Sequence, residues 1–249
     1  MNFWFALHPT RTEAYELKEQ LVKLLEAEGS HVVDNPQKAD FAVAIGGDGT
    51  VVGAFKKCSK PIIGINVGRL GYLPRIEPAD AETALRRVLQ GQYEIEKRMT
   101  LTCSAAGHGE LCAINEAAFL KASASIIHFS VSVDGYELTR YAADGMIVAT
   151  PTGSTGYSLS AGGPIIDPVS DMIVLTPNCP HTLVSRPIVL SANSRITLES
   201  DDKSVLSVDG AITRLNEHEK VEIRRGSENM SFVSLSRESF IERLRKKLS

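Results

Sequence analysis

Apolar positions in the first hundred residues follow two alternating rhythms. Asn2 to Leu7, His31 to Val33, Phe41 to Ile45 and Pro61 to Gly68 are short, densely apolar runs that read as strands. Between the first two, Ala14, Leu17, Leu21, Leu24, Leu25 and Glu28 recur at helical spacing. That predicts a helix with one apolar face, opened by a capping box of Thr10 and Glu13 and stopped by Gly29. Val51 to Lys57 and Pro78 to about Gln90 predict two further helices. Apolar runs separated by helices imply a parallel sheet buried on both faces, with ligands at the carboxyl ends of its strands.

The rhythm changes near residue 98. Short alternating runs follow at Ile126 to Val133, Tyr136 to Tyr141, Met146 to Ala149, Ile188 to Leu190, Arg195 to Leu198, Ser204 to Val208 and Lys220 to Arg224. Asp134-Gly135 and Asp209-Gly210 sit between such runs as hairpin turns. From Arg237 to Ser249 helical spacing returns, with Ser236 as cap, Glu238 in the first turn and Phe240, Ile241, Leu244 and Leu248 as an apolar stripe. The expected architecture is an N-terminal Rossmann-like α/β domain over residues 1–97 and an all-β, sandwich-like domain over residues 98–226. Residues 227–249 return to the first domain, where the last helix packs.

The strand from Phe41 runs into Gly46-Gly47-Asp48-Gly49-Thr50 and a helix follows at once. Glycines let backbone approach a ligand closely, and N–H groups at a helix start attract anions, so this is a phosphate cradle. A pure anion site would not place a carboxylate at its centre. Asp48 is therefore either a base for a hydroxyl or a handle on a metal that itself holds phosphates; an ordinary strand-to-helix turn is the plainer alternative.

Two more segments carry unspent polar chemistry. Asp144-Gly145 leads through an apolar strand into Thr150-Pro151-Thr152-Gly153-Ser154-Thr155-Gly156-Tyr157-Ser158-Leu159-Ser160-Ala161-Gly162-Gly163. Its hydroxyls and bare amides suit a polar ligand, and Tyr157 offers a flat face to a ring. In Ala113 to Lys121, Asn115-Glu116 interrupts an apolar run. Burying such a pair unpartnered is costly, so it either faces solvent at a strand end or meets a ligand's hydroxyls.

Charge and composition narrow the classes. The 249 residues carry a net charge of −3, so no global field recruits nucleic acid. The basic run Arg243 to Lys247 reads as a solvated helix end. Hydrophobic residues make up 43%, enough for a core, yet no segment approaches the ~20 apolar residues of a membrane span. Met1 to Pro9 reads as a first strand rather than a signal peptide. Cys58, Cys103, Cys112 and Cys179 match neither a zinc site nor a small disulfide framework, and reduced thiols point to the cytoplasm. His181 reads as structural, and Lys121 and Arg186 as surface charge or phosphate partners.

Taken together, Gly46 to Thr50, Asn115-Glu116 and Asp144 to Gly163 resemble the NAD kinase family, with lesser matches at Gly68 to Leu73, Pro180 to Leu183 and Arg186-Pro187. The first glycine motif is shared with diacylglycerol kinase-like and phosphofructokinase-like enzymes; the long second one is specific. The resemblance implies phosphorylation of the adenosine ribose 2′-hydroxyl of NAD, with ATP or polyphosphate as donor. It implies Asp48 as the proton acceptor, and a donor-phosphate loop of Gly46, Gly47, Gly49 and Thr50. A divalent cation, magnesium, would be held mainly through the donor phosphates rather than by protein ligands. NAD contacts are implied for Asp48, Gly49, Asn115, Glu116, Thr155, Gly156, Tyr157, Ser158, Leu159 and Ser160. Asp144 is implied to reach the nicotinamide end across a subunit boundary, hence a homodimer or homotetramer. Ala142 and Ala211 stand where the family often has Arg and Gln. A lipid or sugar kinase, and a regulatory NAD-binding module, are the competing readings; the first lacks an acyl groove or sugar-phosphate clamp, and the second would not need Asp48.

Overall fold

The computed structural model of the chain describes residues 1–68, 71–181, 186–235 and 240–248. The chain divides into two compact units, Met1–Lys97 with Met230–Ser249, and Arg98–Asn229. The first opens with β1 (Asn2–Leu7), α1 (Thr12–Ala27), β2 (His31–Val32), β3 (Phe41–Gly46), α2 (Asp48–Lys57), β4 (Ile62–Asn66), α3 (Ala81–Leu89) and β5 (Glu94–Arg98). The second holds β6 (Leu101–Ala105), β7 (Gly109–Ala113), β8 (Glu116–Lys121), β9 (Ile127–Val133), β10 (Tyr136–Ala143) and β11 (Gly145–Ala149). It continues with α4 (Tyr157–Ser160), β12 (Met172–Asn178), β13 (Ile188–Ser191), β14 (Ile196–Ser200), β15 (Ser204–Val208), β16 (Ala211–Leu215) and β17 (Lys220–Arg225). The chain then re-enters the first unit with β18 (Met230–Ser234) and α5 (Phe240–Leu248).

The first unit is a six-stranded sheet in the order β2-β1-β3-β4-β18-β5, and its pairs β1/β2, β1/β3, β3/β4 and β4/β18 are parallel. Every residue of β3 and β4 is buried, which explains why these strands read as unbroken apolar runs. The predicted face of α1 (Ala14, Leu17, Leu21, Leu24, Leu25) joins Phe3, Val43, Ile63 and Ile65 in one core with Leu85 and Val88 of α3.

The second unit stacks two antiparallel six-stranded sheets, β10-β9-β14-β17-β6-β7 and β13-β12-β11-β8-β15-β16. Phe129, Ile196 and Ile223 of the first share a core with Phe119, Met146, Val148 and Leu206 of the second. The second sheet is also covered on its other face. Ala118, Ile147, Ala149 and Val174 form a small cluster there, closed by Ala161 and Ile166 from the glycine-rich segment after β11. This double cover accounts for the continuous apolar run of β11. Asp134-Gly135 and Asp209-Gly210 have positive φ at both positions, as two-residue hairpin turns demand.

Several local expectations are corrected. Thr10 does not cap α1: Arg11 occupies the N-cap position without a side-chain hydrogen bond, and Thr10 instead donates its N–H to His8 Nδ1 at 3.3 Å. Glu13 is left to favour the helix start by charge alone. Helix α2 starts at Asp48, three residues earlier than the periodicity suggested, because glycine and threonine hide the helical rhythm. Pro78–Asp80 forms a 3-10 turn before α3. Strands β5, β6, β7, β12, β16 and β18 were not legible as strands. In the last helix Ile241 is exposed, and Phe240 and Leu244 are half-buried. Ser236 and Glu238, like Arg69, Leu70, Thr182 and Leu183, lie outside the described residues.

Candidate active site

In the first unit the chemistry gathers where β1, β3 and β4 end. Gly47 bridges β3 and α2 and accepts the N–H groups of Thr50 and Val51 at 3.0 and 3.3 Å, closing the first helical turn. Asp48 is the first residue of that turn, half-buried, beside helix N–H groups that lack intrahelical partners. Its Oδ1 accepts the backbone N–H groups of Tyr72 at 2.9 Å and Leu73 at 2.9 Å, and Oδ2 shares the Tyr72 N–H at 3.1 Å. The carboxylate is therefore fixed in direction, while Oδ2 keeps lone-pair capacity for a further donor. Gly71 makes this possible: a Cβ there would stand 2.3 Å from Asp48 Oδ1.

On the other side of the glycine loop lies a cavity of about 490 Å³, lined by Leu7, His8, Pro9, Gly47, Gly49, Thr50 and Lys57 among others. It lies in the size range of small-molecule sites. Asp48 does not line it. The loop lends Gly47, Gly49 and Thr50 to the cavity wall, α2 adds Lys57 from its last turn, and the Asp48 carboxylate turns toward Tyr72 and Leu73. Neither Lys57 nor the Tyr72–Leu73 amides were singled out by sequence as parts of the site; the only signal was the minor motif Gly68 to Leu73. Among the described residues no three His, Cys, Asp or Glu side chains gather as a metal cage.

In the second unit, Asn115 and Glu116 stand at the start of β8, on a backbone gripped from two sides. The Asp209 carboxylate, from the β15–β16 turn, accepts the N–H groups of Ile114 at 2.7 Å, Asn115 at 2.9 Å and Glu116 at 3.2 Å. From the opposite side, the Thr150 N–H donates to Asn115 O at 2.9 Å and the Thr150 hydroxyl to Ile114 O at 2.6 Å. Gly153 packs on the same peptide so closely that a Cβ would lie 2.0 Å from Asn115 O. Both site side chains are half-buried. Burial, and then the charge of Asp209, push the Glu116 carboxyl up to about 7.

The long glycine-rich segment differs from its reading as an array of ligand-facing hydroxyls. Thr150, Thr152, Ser154 and Ser158 are buried. Ser154 Oγ donates to Pro151 O at 2.7 Å within the segment, and Ser158 Oγ meets Thr176 Oγ1 of β12 at 2.8 Å, so these two hydroxyls serve the fold, the second by fastening the segment to the sheet. What it offers outward is Gly156, Tyr157, Leu159 and Ser160, all exposed, and the half-buried Thr155. Tyr157 Oη accepts from Asn178 Nδ2 at 3.0 Å, which sets the ring's tilt. Asp144 precedes β11 and forms an ion pair at 2.6 Å with Lys121. Arg186 and Ala211 are exposed and Ala142 is half-buried.

Comparison with known proteins agrees with both halves. The ATP-NAD kinase N-terminal domain model matches residues 34–93 and the ATP-NAD kinase C-terminal domain model residues 114–235. A protein of Geobacter sulfurreducens named NAD kinase is 42% identical over 227 residues, which span 86% of this chain and 80% of its own. The crystal structure of an NAD kinase from Archaeoglobus fulgidus in complex with ATP is similar at a TM-score of 0.82 and 28% identity, covering 93% of each chain. Yeast NADH kinase complexed with NADH shares the fold at a TM-score of 0.92 and 23% identity, covering 100% of this chain and 87% of its own. Two family models spanning most of the chain and a relative of this identity make it a member of the NAD kinase family.

Proposed function

We propose that the chain transfers the terminal phosphoryl group of ATP to the 2′-hydroxyl of the adenosine ribose of NAD, giving NADP, with Asp48 as the proton acceptor. The observation that carries the reading is the Asp48 carboxylate, clamped in direction by two backbone amides on one side of a glycine loop whose other side lines an anion-compatible cavity. The cavity amides, Thr50 and Lys57 take the donor phosphates. Asn115 and Glu116 hold the adenosine ribose and base edge, and Thr155 to Ser160 lie around the adenine, with Tyr157 against its ring. Ser158 acts there through the backbone, since its hydroxyl is engaged.

A ribose hydroxyl is a poor acid, so the carboxylate takes its proton late, as charge moves onto the phosphoryl group; positioning supplies most of the acceleration. A divalent cation, magnesium, supplies charge neutralisation on the donor phosphates when bound. The cavity side of the loop fits that arrangement, since it offers the Thr50 hydroxyl and, among the described residues, no preformed cage, which leaves the cation to the donor phosphates. The four free cysteines support a reducing cytoplasm. A homodimer or homotetramer is proposed from the family role of Asp144, and sedimentation at graded concentrations tests it.

NADP formation from NAD, ATP and magnesium, with Asp48→Asn alongside, tests the assignment. The variant is expected to bind NAD but lose about 10²–10⁴ in turnover, the usual worth of a positioned base. A near-normal rate in Asp48→Asn overturns the role of Asp48. Turnover with polyphosphate alone changes the donor, and NAD binding without turnover from either donor leaves a regulatory module.

A further inference from the structure

The turn residue Asp209 does more than join two strands. An aspartate at the first position of a two-residue hairpin turn ordinarily serves its own turn, and here φ is 45°, a conformation that Asn and Gly also adopt with ease. Its carboxylate instead reaches across to β8 and receives three consecutive backbone N–H groups, those of Ile114, Asn115 and Glu116. The bond is reciprocated, because the Asp209 N–H donates to Glu116 O at 3.1 Å. Three amides converging on one carboxylate form a small anion nest, and hydrogen bonds to a charged acceptor are the strong kind. The nest occupies the one point where the chain passes from Ile114 into β8, so it sets the backbone direction from which the Asn115 and Glu116 side chains depart.

We propose that Asp209 is the positioning residue for the Asn115–Glu116 pair, acting on NAD binding through the backbone it clamps and through its charge beside Glu116. The proposal rests on the reading of Asn115 and Glu116 as adenosine contacts. Its electrostatic arm follows from the same geometry. A fixed negative charge next to a half-buried carboxyl favours the protonated form, in the same direction as burial, which is the larger cause. With its proton, Glu116 both donates and accepts, a wider repertoire for ribose hydroxyls than a bare carboxylate has. Asp209 also acts on Cys103, whose thiol is pushed up to about 12, by burial first and then by the Asp209 charge, and stays neutral at working pH.

Two variants separate clamp from charge. Asp209→Asn keeps the turn conformation and an acceptor but removes the charge; Asp209→Gly keeps the turn and removes the clamp. KM for NAD is expected to rise about tenfold in Asp209→Gly, the scale of a lost hydrogen bond to a charged group, and less in Asp209→Asn, with KM for ATP within about twofold. The second readout is the titration of Glu116 by carboxyl-carbon NMR in glutamate-labelled protein, the resonance assigned with Glu116→Gln. Its midpoint near 7 should move to lower pH in both variants, which a merely structural turn residue would not cause. An unmoved midpoint together with unchanged KM for NAD overturns the proposal, as does an equal rise in both KM values with loss of thermal stability. If the parent protein makes no NADP, the functional reading falls instead. NAD affinity by calorimetry and the same titration then decide the role of Asp209 on their own.

Discussion

Glu116 is a carboxyl held at the edge of ionisation. It titrates near 7 in the folded chain against 4.5 for a free glutamate. Between those values the folded chain keeps a proton that the unfolded chain has released. The stability this contributes is complete below 4.5 and is lost as pH rises through 7. Glu116→Gln has no such dependence. Its melting temperature relative to the parent should therefore climb between about pH 5 and about pH 8, a trend read by thermal unfolding across buffers. A flat difference would mean that Glu116 is solvated in the folded chain. At this scale the sequence was a partial guide. Asp48 stands out as a carboxylate at the centre of a glycine cradle, and Asn115 and Glu116 because they interrupt an apolar run. Asp209 does not, because Asp-Gly between strands has a sufficient local explanation, and its reach to β8 spans more than ninety residues of chain. The hydroxyls of the glycine-rich segment misled for a related reason: serine and threonine look alike whether they serve a ligand or the fold.

Elements were legible where one physical cause dominated. The helix α1 shows its face through strict spacing, and β3 and β4 show their depth through unbroken apolar runs. Strands β6 and β7 stayed hidden because their composition is mixed; they pair with each other, and β6 also needs the distant β17, at Cys103 with Ile223. The start of α2 was hidden because Gly and Thr, weak helix formers, occupy the turn that the site needs. The segment that carries α4 is fastened to β12 by the buried Ser158–Thr176 hydroxyl pair. Ser158→Ala leaves the Thr176 hydroxyl without its partner and is expected to cost about 1–3 kcal/mol, whereas Ser158→Ala with Thr176→Val should come back close to the parent. Chemical denaturation of the four-member mutant cycle measures this, and additive losses would show that the two hydroxyls act independently.

Viewed as a whole chain, the second unit is an insertion within the first. Residues 98–229 are continuous, while the parallel sheet is interrupted after β5 and receives β18 between β4 and β5. Apolar patterning indicated both architectures, since alternation every second residue and buried runs flanked by helices are different signals. The strand that returns was missed: β18 is five residues, bridged in parallel to β4 at Phe232 and Ile62, and its burial comes entirely from distant neighbours.

That interruption sets an order of assembly on the ribosome. The sheet that carries the glycine loop cannot take in β18 until residue 234 has left the exit tunnel, after every strand of the inserted unit has emerged. Many multidomain chains mature from the amino end, but here the first part to appear is the last to be finished. Chains extended by a linker and stalled so that residue 229 but not residue 234 has left the tunnel should show protease-resistant β structure from the insertion and a labile α/β segment, and chains stalled so that residue 249 has also emerged should resist throughout. Resistance of the α/β segment in the shorter chains would show that its sheet closes without β18.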